Sequence, residues 1–289
     1  MKKIVILGCE NSHANTFLNL IAKTEKFADV KVLGVYSDDV NASQKLNEKY
    51  GVAVMDNYDQ FVGQVDGVVV TARHGDNHYK YAKPYIQSGV SFFIDKPVTI
   101  SEEEAIEMME KCKEVGAKVT GGSCLKYAGF IKELANDVAS EIDGKTLGGA
   151  MRGPVQMENA YGGFYFYAQH LVEMITTPFG LYPRSITAFK TGNNVNAIFH
   201  YEGFDVSGLF VDKIYTYYGS RYAEQGNKAQ TFEFGEDCFF TEFDEFYNLL
   251  DGGEQKMSYE DFIAPVFILN AIDRAVQSGK DEIVKTVEL

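Results

Sequence analysis

The sequence predicts an α/β protein. An N-terminal doubly wound domain on a parallel sheet is followed by a C-terminal α+β domain on an open, mostly antiparallel sheet. In the first 120 residues, short continuous apolar runs alternate with helical segments, as strands covered on both faces do. After Gly121–Gly122 the pattern changes to many short strand-like segments broken by Gly and Asn. The length of 289 residues suits two domains of ordinary size.

Ile4–Leu7 is the first apolar run, closed by Gly8. Residues 14–25 read as a helix, Val30–Tyr36 as a second strand, and 42–50 as a helix stopped by Gly51. Val52–Met55 reads as a short third strand, Gly67–Thr71 as a fourth and Val90–Ile94 as a fifth. A helix over 77–87 separates the last two. Ser101, with Glu104 three residues on, forms a capping box for a helix reaching about Val115. Lys118–Thr120 is the sixth expected strand. The domains are therefore expected to cover 1–120 and 121–289.

In the second domain, 125–140 reads as a helix. Ser185–Lys190, Val195–Tyr201, Val206–Val211 and Lys213–Tyr218 read as strands, preceded by a helix near 166–177. Helices at 239–250 and 259–278 and an edge strand at Ile283–Leu289 complete the chain. Aromatics cluster at Tyr161–Tyr167 and Tyr215–Tyr218. Such a sheet suits a subunit interface, so a homodimer or homotetramer through the C-terminal sheet is expected. The alternative is that these rings fill the core.

Lys plus Arg is 27 and Asp plus Glu is 41, a net charge of −14. That balance argues against nonspecific binding to nucleic acid or an anionic membrane. Cys9, Cys112, Cys124 and Cys238 include no CxxC pair, so neither a metal site nor a redox motif is expected, and free thiols are. The start of the sequence lacks a leader pattern, and no apolar run approaches about 18 residues. A cytoplasmic protein with a small-molecule substrate is expected.

The turn after the first strand reads Gly8-Cys9-Glu10-Asn11-Ser12-His13. A dinucleotide fingerprint of a Rossmann-like domain has Gly at the first, third and sixth positions, and only Gly8 remains. Two readings stay open. In one, Gly8, Asn11, Ser12 and His13 form a variant phosphate-facing turn, with Glu10 pointing away. In the other, the fold persists and nucleotide binding has weakened or gone. Ser37 and Asp38 stand where a ribose-binding carboxylate belongs, although they could simply cap a turn. The carboxylates there, and the lack of a nearby Arg, favour NAD over NADP.

The stretch Gly67-Val-Val-Val-Thr-Ala-Arg-His-Gly-Asp-Asn-His78, followed by Ser88-Gly-Val-Ser-Phe-Phe-Ile-Asp-Lys-Pro97, resembles the Gfo/Idh/MocA oxidoreductase family. Asp95-Lys96-Pro97 stands for that family's Glu-Lys-Pro. The stretch Gly162–Glu173 resembles the family's central helix, and Phe267–Lys280 its final helix. The resemblance implies an NAD(P)-dependent oxidoreductase acting on a sugar, a cyclitol or a similar polyhydroxylated molecule.

Carried over, Lys96 matches the lysine that contacts substrate and nicotinamide, and His170 matches the catalytic histidine. Thr71, Arg73 and His78 border the cofactor. Lys126, Tyr165 and Glu173 are candidates for binding substrate. The family's Asp four residues before the histidine is replaced by Phe166, and Ala168 stands where Gly is usual. These departures keep two alternatives open: a non-catalytic sensor or scaffold of the same fold, and an NAD-assisted sugar hydrolase or lyase.

Overall fold

In a computed structural model that describes residues 1–289, the first apolar run becomes β1 (Lys2–Leu7), with Ile4, Val5, Ile6 and Leu7 fully buried. Asn11 caps α1 (Ser12–Lys23) by accepting a bond from the His13 amide. Ala14, Phe17 and Leu18, at helical spacing, turn one face of α1 inward. β2 (Val30–Tyr36) and α2 (Val40–Tyr50) follow. Then come β3 (Gly67–Val70), α3 (Asp76–Ala82), β4 (Ser91–Asp95), α4 (Glu102–Val115) and β5 (Lys118–Gly122). The expected capping box is seen as Ser101 Oγ accepting from the Glu104 amide.

These strands form one parallel sheet in the order β2-β1-β3-β4-β5. The chain reverses its direction of travel across the sheet between β1 and β3. In a doubly wound sheet, that reversal marks the crevice where ligands bind. The sheet has five strands, not the six expected. Val54 makes a single bridge to Val35, while Val52 and Met55 bury their side chains. The apolar residues of 52–55 plug the core and do not extend the ladder.

The second sheet is built from β6 (Thr146–Val155), β7 (Ser185–Thr191), β8 (Asn194–His200), β9 (Asp205–Asp212), β10 (Tyr217–Ala223) and β11 (Asn227–Phe232). Before these strands lies α5 (Gly129–Ala139), and α6 (Tyr165–Phe179) falls between β6 and β7. The chain closes with α7 (Glu236–Leu250), α8 (Tyr259–Ser278) and β12 (Glu282–Ile283). The strand order is β11-β10-β6-β9-β8-β7-β12, antiparallel except for the parallel pair β6 and β9. Two expectations need correction. Lys213–Tyr218 is not one strand, because Lys213 takes a left-handed φ of 61° and β10 begins only at Tyr217. The terminal strand shrinks to Glu282–Ile283, paired with β7.

The chain divides into two units that are not contiguous in sequence. One comprises Met1–Gly122 with Phe239–Phe262 and Leu289; the other comprises Ser123–Cys238 with Ile263–Glu288. The stretch from Phe239 returns to the first unit because α7 supplies aromatic rings to its core. Phe243 and Phe246 are fully buried, and Phe243 lies 4.9 Å from Phe27 and 5.3 Å from Phe17, ring to ring. The four cysteines are free and buried. No helix is long and apolar enough to cross a membrane.

Phe243→Ala is expected to lower stability by about 3–5 kcal/mol in urea denaturation. Amide exchange in β1 and α1, far away in sequence, should accelerate with it. Protection unchanged in those two elements would contradict the place given to α7.

Candidate active site

The candidate residues of the first unit gather at the carboxyl ends of β1, β2, β3 and β4. Gly8 has φ +75°, and a Cβ there would sit 2.3 Å from the Ala72 amide nitrogen, so only glycine fits this close approach. The turn is stitched to both neighbouring strands. The Gly8 and Cys9 amides donate to Tyr36 O at 2.8 and 3.0 Å, and Thr71 Oγ1 donates to Gly8 O at 3.1 Å.

One carboxylate organises the start of α1. Asp95 is fully buried at the end of β4. Its Oδ1 accepts from the Lys96 amide at 2.7 Å, and its Oδ2 accepts from Asn11 Nδ2 at 3.3 Å. His13 Nδ1 lies 2.6 Å from the same Oδ2, in ion-pair contact but off the axis of a good hydrogen bond. Burial opposes ionisation of Asp95. The neighbouring His13 and Lys96 outweigh it and hold the carboxyl below the ordinary range. The His13 ring also packs edge-on against Phe239, 5.0 Å away. His13 therefore fills the usual close-packing position with a side chain that pairs across to β4. Lys96 is 4% exposed, and its bond to Pro97 is cis.

Glu10 does not point away from the crevice, as the phosphate-facing reading expects. Its Oε2 accepts from Ser37 Oγ at 2.7 Å, beyond the end of β2. Its Oε1 accepts from the Arg73 amide at 2.9 Å, beyond the end of β3. Ser12 is exposed at the start of α1, and its hydroxyl donates to Asn11 Oδ1 at 3.3 Å. Asp38 is exposed and accepts from Tyr36 Oη at 2.7 Å; that bond, with Tyr81 and Lys80 nearby, keeps its carboxyl below the usual range.

Two cofactor candidates are placed differently from expectation. His78 is wholly buried: Nε2 donates to Ala72 O at 2.7 Å, while Nδ1 has no partner. Burial lowers its pKa, so it is a neutral lock on the loop after β3 and presents no atom to a ligand. Thr71 is equally buried and holds Gly8 in place.

The second unit holds a separate polar network on α6. His170 is buried, with Nδ1 2.6 Å from Ser123 Oγ. Glu173, three residues beyond His170 on α6, is buried as well. Its Oε1 accepts from the Ser123 amide at 2.8 Å and from Gln169 Nε2 at 2.7 Å, and its Oε2 from Lys126 Nζ at 3.1 Å. Ser123 thus links the carboxylate to the imidazole. The Lys126 ammonium pairs with that Glu173 carboxylate. Tyr165 Oη donates to Asn270 Oδ1 at 3.2 Å, and Phe166 is buried beside Tyr161 and Tyr167. No group of three or more His, Cys, Asp or Glu side chains is arranged to hold a metal.

The donor set of the first unit suits a dinucleotide. The α1 start is open at Ser12, Asp38 is exposed for a ribose diol, and the Gly8 turn keeps the backbone low. Glu10 is the one competing group. Freeing its two charge-assisted bonds costs about 1.5–3 kcal/mol each before water replaces them.

Asp95, Ser123 and Gln169 escape the sequence reading as site residues. Asp95 carries a signal, an acid closing the apolar run Phe92-Phe93-Ile94, whereas Ser123 meets His170 only through the fold.

Residues 2–123 match the Gfo/Idh/MocA family model, described as an oxidoreductase family with an NAD-binding Rossmann fold. No curated protein matches the chain. Three solved structures are similar throughout. Myo-inositol 2-dehydrogenase from Lactobacillus plantarum has 15% identity and TM-score 0.84, over 98% of this chain and 99% of its own. A myo-inositol dehydrogenase from Corynebacterium glutamicum has 14% and 0.78, over 99% and 100%. GenD2 from gentamicin A biosynthesis, solved in complex with NAD, has 14% and 0.82, over 99% and 97%. At such identities the likeness establishes the fold.

Because the Asp95 pKa is lowered on folding, its stabilisation is present above the ordinary value of 3.8 and is lost as pH falls through the lowered one. Asp95→Asn is expected to lose about 3 kcal/mol near neutral pH. Denaturant titrations should show that deficit shrinking below pH 3.8. A constant deficit would contradict the ionised pair.

Proposed function

We propose that this chain, whose residues 2–123 belong to the Gfo/Idh/MocA oxidoreductase family, is an NAD-dependent oxidoreductase acting on a cyclitol, a sugar or a similar polyhydroxylated molecule. The observation that carries the reading is the buried Lys96, set by Asp95 at the end of β4 in a domain of that family. Open α/β sheets bind their ligands at such strand ends. The substrate class is suggested by the similar inositol dehydrogenases.

Gly8, Asn11, Ser12 and Asp38 would hold the dinucleotide, with Ser37 and Arg73 beside it. The chemistry that a nicotinamide supplies when bound is acceptance of a hydride from a carbinol carbon. The Lys96 ammonium stabilises negative charge on the substrate oxygen as its proton leaves. In the second unit, His170 would serve as a proton-accepting imidazole, its ring held at Nδ1 by Ser123 Oγ. The Glu173 carboxylate, through the Ser123 amide, holds that serine against the ring. The Asp38 carboxylate favours a free ribose 2′-hydroxyl over a 2′-phosphate, which points to NAD over NADP.

Lys96→Ala is expected to keep the fold and to lose most turnover, about 100-fold or more. The assay is NADH formation over a panel of inositols and sugars. Unchanged turnover would dismiss the role of Lys96. We also propose self-association through the second sheet, where Phe189 is 55% and Tyr222 44% exposed. Light scattering should give a multiple of the 32.3 kDa chain mass, and a monomer would refute it.

A further inference from the structure

We infer that Glu10 is an internal competitor for the dinucleotide: its carboxylate stands in for the ligand's diphosphate and must be displaced when a nucleotide binds. The inference rests on the proposed dinucleotide site. It does not depend on the substrate or on turnover.

The geometry points to displacement and not to a loop tie beside the site. Glu10 occupies the third position of the turn after β1, where a side chain limits how closely a diphosphate can approach the backbone. Its two partners lie on opposite sides of β1, Ser37 past the end of β2 and Arg73 past the end of β3. The carboxylate therefore spans the point where the strand order reverses, which is where a dinucleotide crosses the sheet edge. One of the donors that it takes, the Arg73 amide, is a fixed backbone N–H that an anionic ligand would otherwise use. A carboxylate and a diphosphate cannot share that place, because like charges in contact repel and both seek the same donors. Ser37 Oγ meanwhile accepts from the Asp39 amide at 3.0 Å, so the hydroxyl stays in place when the carboxylate leaves.

The test is NADH binding by the full-length protein, followed by calorimetry, with the NADH-induced shift in thermal midpoint as a second readout. Glu10→Ala removes the competing anion, and Glu10→Gln keeps its shape without its charge. Both variants are expected to bind NADH more tightly than the parent, Glu10→Ala by tenfold or more and Glu10→Gln by less. The NADH-induced rise in midpoint should grow in the same order. If the parent shows no measurable affinity and Glu10→Ala binds, the inference is supported in its strongest form. If the parent binds and Glu10→Ala binds equally or more weakly, the carboxylate is a structural tie or a ligand for the nucleotide, and the inference is overturned while the proposed function stands. If neither the parent nor the variants bind NADH or NADPH, the proposed site fails and the inference falls with it.

Discussion

The Asp95 carboxylate holds the functional end of the first unit together. It is fully buried, and it draws the Asn11 amide and the His13 ring from the start of α1 and the Lys96 amide from the end of β4. A charge in that place is tolerated only because cations and donors surround it. The arrangement has two consequences. The turn after β1 keeps its position although two of the three fingerprint glycines are missing. The Lys96 amide is fixed where β4 ends.

A second buried carboxylate, Glu173, plays the equivalent part in the other unit. It gathers the Ser123 amide, Gln169 and Lys126, and so fixes the serine that faces His170. Gln169, His170 and Glu173 of α6 are buried, and Gln169 Nε2 donates to Glu173 Oε1. Phe166 joins an aromatic cluster with Tyr161 and Tyr167, and the imidazole is oriented from the Ser123 side.

Much of the fold can be read locally. The continuous apolar runs of β1, β3 and β4 announce buried parallel strands, and Ser101 with Glu104 announces α4, because those signals lie within a few residues of the structure they specify. Val52–Met55 carries the same apolar composition, yet its pairing with β2 stops at the single bridge of Val54 to Val35 and no strand propagates. The return of α7 to the first unit has no local sign: Phe243 is an inward residue of an amphipathic helix, and nothing nearby says which core it enters. The site divides in the same way. Gly8, Lys96 and His170 stand in motifs, whereas the contacts of Asp95, Ser123 and Glu10 join residues 27 to 84 positions apart.

The most direct test of the account is a crystal structure of the protein with NADH. The account predicts the diphosphate at the start of α1, the Glu10 carboxylate released from Ser37 Oγ and the Arg73 amide, and the Asp95 pairings intact. A saturating concentration of NADH that leaves Glu10 bridging those two groups, with no nucleotide at the ends of β1 and β3, would contradict it.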